Sequence, residues 1–166
     1  MGRDKALVPV HGVPMAARVR AALIDAGCSA VVAVGGEPAA LVQLGFQVLP
    51  DEFPGEGPLG GVITALAGHP AAEMVVVVAC DLPYLSAVSV RTLIDGLGAA
   101  DVAVARGERL QPACAVWRPS VEGALRALFT AGERRLLTAL AGLQAVEIDV
   151  DPQDLANVNT PSDLPQ

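Results

Sequence analysis

Aromatic residues, positive charge and long apolar runs are all scarce in this chain of 166 residues. Aromatic residues make up only 3% of it, so the core must be built from Val, Leu and Ala. The net charge of −7 argues against binding to nucleic acid, which requires a basic surface. No apolar run reaches about 20 residues, so no membrane span is expected. The first residues do not resemble a signal peptide, which favours a cytoplasmic location.

Cysteine is also sparse, and its pattern excludes a cysteine metal site. Cys28, Cys80 and Cys114 are odd in number and far apart. We therefore expect reduced, partly buried thiols, as is usual in the cytoplasm.

Hydrophobic residues, in contrast, make up 52% of the chain, which argues against disorder. Its length suits one domain with a proper core, and we expect a single domain over residues 1–166. Short apolar runs alternate with segments of helical periodicity. This order predicts an α/β fold of three layers, a mostly parallel sheet with helices on both faces. The periodic segments predict helices over residues 62–67 and 133–140, and a helix through residue 97 with Ser86 as its N-cap.

The most apolar run, residues 74–79, ends close to Asp81. A short run of β-branched residues between turn signals predicts a strand that is buried on both faces. Ligands in open α/β sheets bind beyond the carboxyl ends of the strands, so Asp81 is a candidate site residue. The alternative is that Asp81 only begins a turn, for which Asp and Pro are both suited.

A second carboxylate, Asp51, follows another predicted strand, at the start of a loop over residues 50–61 with three prolines and four glycines. Such a long loop in a compact domain is usually functional. If the two strands are neighbours, Asp51 and Asp81 lie at the same edge of the sheet. Carboxylates of this kind suit Mg²⁺, which commonly joins them to substrate phosphates. Lys5 could supply a positive charge to the same phosphates, although a solvated terminal lysine is the simpler interpretation.

The segment Gly55–Gly60 matches the pattern G-x-G-x-x-G of dinucleotide-binding proteins, which raises the alternative of a nicotinamide-dependent oxidoreductase. That pattern requires its first glycine directly after the strand, whereas here residues 50–54 intervene. Pro58 also removes a backbone N–H from a loop that should donate hydrogen bonds. We therefore interpret the match as coincidence.

Several segments together resemble the molybdenum cofactor guanylyltransferases (MobA-like proteins), within the larger fold of the sugar-nucleotide-type nucleotidyltransferases. They occur in the order of that family and extend over almost the whole chain. They are Met-Gly-Arg-Asp-Lys-Ala-Leu at residues 1–7, the loop over residues 51–61 with Gly-Pro-Leu-Gly-Gly at 57–61, Cys-Asp-Leu-Pro-Tyr at 80–84, Gln-Pro at 111–112, Gly-Glu-Arg-Arg at 132–135 and Asn-Val-Asn-Thr-Pro at 157–161.

The resemblance implies a Rossmann-like nucleotidyltransferase that transfers GMP from GTP to molybdopterin or the molybdenum cofactor and releases pyrophosphate. By the same resemblance, Lys5 would contact the nucleotide phosphates and Asp51 the guanosine. Asp81 would bind Mg²⁺ and the phosphates, with Lys5 and Asp81 as the catalytic residues. Asn157 and Asn159 would lie near the pterin. The implied partners are GTP, the pterin substrate, and proteins of cofactor synthesis and molybdoenzyme maturation.

The chain departs from the family pattern at its start. The family begins with a strand and a Leu-Ala-Gly-Gly-x-Ser-x-Arg loop, and this sequence begins just after them, at Met1. We expect that Met1 is a mis-assigned start, which translation of the upstream DNA would test. The alternatives that remain open are a cytidylyl- or other nucleotidyltransferase of the same fold, and a truncated homologue that binds partners without turnover.

Overall fold

The computed structural model describes residues 5–158, which fold into strands and helices that largely alternate. The strands are β1 (Pro9–Val10), β2 (Val13–Pro14), β3 (Val32–Val34), β4 (Gln47–Leu49), β5 (Val75–Val78), β6 (Val102–Arg106), β7 (Leu110–Trp117) and β8 (Ala145–Asp149). The α-helices are α1 (Met15–Asp25), α2 (Pro38–Gln43), α3 (Pro58–Ala67), α4 (Ala87–Gly96), α5 (Glu122–Thr130) and α6 (Leu136–Leu140). Short 3₁₀ turns occur at Lys5–Leu7, Pro119–Val121 and Pro152–Leu155. Within this range no helix is long and apolar enough to cross a membrane.

The larger sheet has the strand order β5-β7-β6-β8 and is mixed. β7 is antiparallel to both β5 and β6, whereas β8 is parallel to β6. Three of its four strands therefore share one direction, and β3 and β4 form a separate parallel pair. The reversal of β7 has a local cause: only residues 107–109 separate it from β6, too few for a crossover helix, so the two strands form a hairpin.

Two hydrophobic cores lie on opposite faces of the larger sheet, which confirms the expected three layers. Val104 and Trp117 point into the core formed with α3, α5 and α6. Ala103 and Val116 point into the core formed with α1 and α4. All four side chains are fully buried, because successive residues of a strand face opposite sides of the sheet. Neither strand therefore shows the alternation of polar and apolar residues that marks a half-exposed strand.

The run at residues 74–79 was expected to be a strand buried on both faces. Val75 and Val77 do pack against one core and Val76 and Val78 against the other, but none of the four is fully buried. Each residue of β5 is only partly buried, because among residues 5–158 β5 is an edge strand of the larger sheet and pairs with β7 alone. Both faces are fully covered in β6, whose residues from Val102 to Ala105 have no exposed surface, and in the second half of β7. Apolar composition alone does not distinguish an edge strand from a central one.

Helix α3 contacts strands of both sheets. It packs against β3 of the parallel pair and against β5 of the larger sheet. Among residues 5–158 no strand joins β3 to β5, so the β3-β4 pair and the larger sheet are separate sheets beside one helix, and β1 and β2 form a third, antiparallel pair. The strand ends that precede Asp51 and Asp81 thus belong to different sheets, with α3 as their common neighbour.

The bounds of several elements differ from the sequence prediction for local reasons. Helix α3 begins at Pro58 rather than near residue 62, because proline suits the first helical turn. Helix α6 begins at Leu136 rather than at Glu133, whose carboxylate instead accepts hydrogen bonds from the following backbone amides. The predicted N-cap of α4 is confirmed, since Ser86 Oγ accepts a hydrogen bond from the Ser89 amide.

Candidate active site

Asp81 lies in a turn beyond the carboxyl end of β5. The strand ladder continues one residue past Val78, where the Ala79 amide donates a hydrogen bond of 2.7 Å to a β7 carbonyl. Two buried leucines just after the turn, Leu82 and Leu85, fix its position against the core. The Asp81 side chain is half-buried, and within residues 5–158 no group forms a hydrogen bond or an ion pair with its carboxylate. This carboxylate is therefore available to a ligand.

Asn157 lies next to this turn, in the segment that follows β8. The amide of Val158 donates a hydrogen bond of 3.0 Å to the backbone carbonyl of Asp81. The side-chain amide of Gln111, on β7, donates one of 3.0 Å to Asn157 Oδ1. The tertiary structure thus brings the turn at residue 81 and Asn157 together, although 76 positions separate them in sequence. Asn159, the other predicted contact, lies outside the described residues.

The segment that contains Asn157 is hydrogen-bonded to the start of α4 through Asp154. Asp154 Oδ2 accepts hydrogen bonds from the Ser86 amide at 3.1 Å and from Ser89 Oγ at 2.6 Å. The Ser86 hydroxyl donates a third. Asp154 thereby satisfies donors at the start of the helix and holds the following residues against the larger sheet.

Asp51 is oriented by backbone and side-chain donors at the end of β4. Its Oδ1 accepts a hydrogen bond of 2.9 Å from the Phe53 amide and lies 3.3 Å from the hydroxyl of Thr64 on α3. A Cβ at Gly35, which follows β3 and has a φ of +67°, would lie 3.4 Å from the Asp51 Cβ. The two parallel strands therefore end side by side, with Asp51 beside a glycine backbone. No hydrogen bond or ion pair joins Asp51 to Asp81 within the described chain.

Lys5 belongs to the 3₁₀ turn Lys5–Leu7, which packs against α1. The following Ala6 is buried in a small core with Leu41 and Phe46. Cys80, the residue before Asp81, packs against the same core. The backbone that carries Lys5 therefore shares a core with the backbone that carries Asp81.

Arg135 is an exposed cation that follows Arg134, the residue that contacts Glu56 in the loop over residues 52–57. Glu133 fixes it: its carboxylate accepts hydrogen bonds from the Arg135 side chain at 3.2 Å and from the amides of Arg134 and Arg135 at 2.9 Å each. These donors lower the pKa of Glu133 to about 2, the Arg135 guanidinium contributing most. Arg135 keeps 80% of its side chain exposed, and Glu133 raises its pKa in turn, so the guanidinium is permanently charged.

The donor set suits Mg²⁺ bound together with a substrate. Among residues 5–158 there is no cluster of three or more His, Cys, Asp or Glu side chains that could hold a metal ion alone. Mg²⁺ needs no such cluster, since it commonly binds one or two carboxylates and completes its shell with waters and substrate phosphates. An unpartnered Asp81 matches this mode of binding.

Two polar residues received no role from the sequence: Thr64, which contacts Asp51, and Gln111, which contacts Asn157. Thr64 is 2% exposed and is the only residue with a polar side chain in α3, so its isolation among apolar residues was a usable signal. Gln111 belongs to the Gln-Pro segment that contributes to the family resemblance, but the resemblance assigned it no role.

A cavity of about 590 Å³ lies elsewhere in the molecule. Its lining includes Leu66 and Ala67 at the end of α3 and Arg118 just after β7. Because β5 and β7 are antiparallel, the end of β7 lies at the start of β5, opposite to Asp81. This cavity is therefore not part of the candidate site.

Comparison with known proteins gives one consistent result. The family model of the MobA-like NTP transferase domain matches residues 1–146. The chain is 41% identical over 170 residues to the molybdenum cofactor guanylyltransferase of Rhodobacter capsulatus, covering 99% of this chain and 86% of that protein. It is 34% identical over 167 residues to the enzyme of the same name from Cereibacter sphaeroides, covering 98% and 86%.

A solved structure extends the likeness to the fold. The crystal structure of molybdopterin-guanine dinucleotide biosynthesis protein A from Archaeoglobus fulgidus superposes with a TM-score of 0.76, over 98% of this chain and 87% of that one. The two sequences are only 22% identical, so this comparison concerns the fold alone.

Proposed function

The chain belongs to the MobA-like NTP transferase family, a family of nucleotidyltransferases, and on that premise we propose that it transfers GMP from GTP to molybdopterin or the molybdenum cofactor, with release of pyrophosphate. The relatives named above are guanylyltransferases of this cofactor, which supports the choice of GTP and of a pterin acceptor.

One observation supports placing this reaction at Asp81. The Asp81 carboxylate has no partner within residues 5–158, and it lies beside the segment that contains Asn157. A carboxylate at the end of a strand can hold a metal ion and the triphosphate that the ion binds. Asn157 would then lie where the acceptor substrate approaches; the hydrogen bond from the Val158 amide to the Asp81 carbonyl supports this. Donor and acceptor would thus meet at the end of β5.

The other residues complete this proposed site. Lys5 would neutralise charge on the nucleotide phosphates, and Asp51 would accept hydrogen bonds from the guanosine part of GTP. Asn157 and Asn159 would bind the pterin side of the acceptor. Proteins of molybdenum cofactor synthesis would deliver the acceptor or receive the product.

The chemistry explains why these residue types are required. The terminal phosphate of the acceptor attacks the α-phosphorus of GTP, a new P–O bond forms there, and pyrophosphate leaves with the electron pair of the broken bond. Both reactants are anions, so catalysis depends on positioning and on neutralisation of charge. Bound Mg²⁺, held by Asp81, would supply a large part of that neutralisation. Lys5 would add a positive charge from the protein itself.

The substitution Asp81→Asn tests the assignment. It keeps the shape of the side chain and removes the charge that would hold the metal ion. Pyrophosphate release in the presence of GTP, Mg²⁺ and molybdopterin should fall by a factor of about 100 or more, the scale expected when a major electrostatic contact is lost. The matched control is Asp95→Asn, an exposed aspartate on α4, which should leave turnover unchanged.

Three outcomes would contradict the proposal. Unchanged turnover in Asp81→Asn would overturn the site. Faster turnover with CTP than with GTP would identify a cytidylyltransferase of the same fold. Binding of GTP without any pyrophosphate release by the unsubstituted protein would favour a binding protein over an enzyme.

A further inference from the structure

The loop over residues 52–57, which follows Asp51 and leads into α3, is fastened to the rest of the protein by two arginines. Both come from distant parts of the chain, and each pairs with a different glutamate of the loop. The proposed function assigns no role to these four residues.

The first fastening joins the start of the loop to α5. Arg126 Nη1 lies 2.9 Å from Glu52 Oε2, while its Nε donates a hydrogen bond of 2.5 Å to Glu122 Oε1 on the same helix. The hydrogen bond that Arg126 donates to Glu52 is the main reason that the pKa of Arg126 is raised, and its hydrogen bond to Glu122 is the second. Glu122 therefore holds the guanidinium in the orientation that meets the loop.

The second fastening joins the end of the loop to the segment after α5. Arg134 Nε donates a hydrogen bond of 2.8 Å to Glu56 Oε2. Its Nη1 donates to the backbone carbonyls of Phe129 at 2.7 Å and of Glu133 at 2.9 Å. The guanidinium is thus fixed by three acceptors, and its Cζ lies 3.8 Å from the ring centre of Phe129.

Between the two ion pairs, an aromatic contact anchors the middle of the loop. The ring centres of Phe53 and Phe129 are 4.4 Å apart. The loop lies so close to α3 that a Cβ at Gly60 would come within 2.8 Å of the Phe53 Cβ. Loop, α3 and α5 are therefore packed against one another, with an arginine–glutamate pair toward each end of the loop.

We propose that Arg126 and Arg134 are positioning residues for nucleotide binding: by holding Glu52 and Glu56, they fix the loop that orients Asp51 toward the nucleoside triphosphate. This inference rests on the proposed function, in which Asp51 contacts the nucleotide. Asp51 accepts its hydrogen bond from the Phe53 amide inside the loop, so a displaced loop changes the direction of the carboxylate. A preorganised loop lowers the ordering cost of binding.

If the two arginine–glutamate pairs were ordinary surface ion pairs, the expected result would be different. The glutamate side chains are 42% and 51% exposed, and exposed ion pairs commonly contribute little to global stability. A purely structural pair would therefore leave nucleotide binding unchanged. A positioning pair alters the KM for GTP and the local opening of the loop, with little effect on the melting temperature.

The test uses Glu52→Gln, Glu56→Gln and the double variant, which keep side-chain shape and remove the charges. We expect amide hydrogen exchange at residues 52–57 to become about threefold faster in each single variant and about tenfold faster in the double, the scale of two independent exposed ion pairs. The KM for GTP should rise by similar factors while kcat stays unchanged, as when binding common to ground state and transition state is lost.

The matched control is Glu147→Gln, which removes an exposed ion pair with Arg106 between β8 and β6. It should change neither loop exchange nor KM. Unchanged loop exchange in the double variant would overturn the proposal, and so would faster exchange with an unchanged KM. If the unsubstituted protein does not bind GTP, the proposed function fails, whereas the exchange measurement still decides whether the arginines hold the loop.

Discussion

Replacing Thr64 with valine tests how the structure orients Asp51. The Thr64 hydroxyl accepts a hydrogen bond of 3.1 Å from the Glu52 amide and lies 3.0 Å from the Gly60 carbonyl and 3.3 Å from Asp51 Oδ1. It has one proton, which it can donate to only one of the two oxygens at a time. Valine has nearly the same shape and none of these bonds.

The loss of stability in Thr64→Val depends on the one hydrogen bond that no other group can replace, the bond from the Glu52 amide to the Thr64 hydroxyl. The Gly60 and Asp51 oxygens keep other possible donors, whereas the Glu52 amide loses its acceptor in a partly buried position. An unsatisfied buried donor costs about 1–3 kcal/mol, and partial access to water places this one at about 1–2 kcal/mol. With an m value of about 1–3 kcal/mol per molar urea, the unfolding midpoint should fall by roughly 0.3–2 M.

Urea unfolding and steady-state kinetics measure the two consequences separately. We expect Thr64→Val to lower the unfolding midpoint and to raise the KM for GTP several-fold, because Asp51 loses one of its two contacts. Thr64→Ser is the control, since it keeps the hydroxyl and removes only a buried methyl group, at a cost of about 0.8 kcal/mol. The serine variant should therefore lose stability but retain the KM of the unsubstituted protein.

Two results would refute this reasoning. If Thr64→Val is as stable as the unsubstituted protein, the Glu52 amide has no need of the hydroxyl. If the valine variant is destabilised but binds GTP normally, Thr64 supports the helix and the loop without orienting Asp51.

Three further predictions concern groups outside this contact. Glu133 has its pKa lowered from 4.5 to about 2, so its stabilising effect is present above pH 4.5 and is lost as the pH falls through about 2. Urea unfolding of Glu133→Gln should therefore show reduced stability near pH 6 and a difference that shrinks below pH 4.5; equal stability at pH 6 would contradict this. Burial, with a smaller contribution from Asp154, raises the pKa of the Cys114 thiol to about 12. A thiol reagent should modify Cys114 only in urea, and rapid labelling of the folded protein would disprove the buried placement. Asp154→Ala removes the acceptor of three hydrogen bonds. It should lower the free energy of unfolding by about 2 kcal/mol and weaken binding of the pterin acceptor. A melting temperature equal to that of the unsubstituted protein would refute this.

Much of the fold was predictable because it depends on local signals. The apolar periodicity of α4 and its Ser86 N-cap are visible in sequence, and the structure confirms both. The edge position of β5 was not predictable, because strand order depends on which surfaces pack together. The antiparallel direction of β7 was also not predictable. Both β6 and β7 face two cores, so neither shows the alternation of polar and apolar residues that marks a half-exposed strand.

The candidate site shows the same division. Asp51 and Asp81 were predicted from their positions after apolar runs, and their proposed roles come from the family resemblance. The surroundings of these residues depend on contacts between distant segments. The ion pair between Glu56 and Arg134 joins positions 78 residues apart, and the bond between Gln111 and Asn157 spans 46 residues. No local pattern indicates such partners.

The sequence by itself determined the α/β class, the family and the residue types that the chemistry needs, because these depend on composition, periodicity and motifs along the chain. Only the tertiary structure decided which groups surround the candidate carboxylates. It left Asp81 without a partner among residues 5–158, gave Asp51 a hydroxyl contact from Thr64, and tied the intervening loop to two arginines. These contacts depend on how α3 and α5 pack against the sheet, and that packing depends on residues from many parts of the chain.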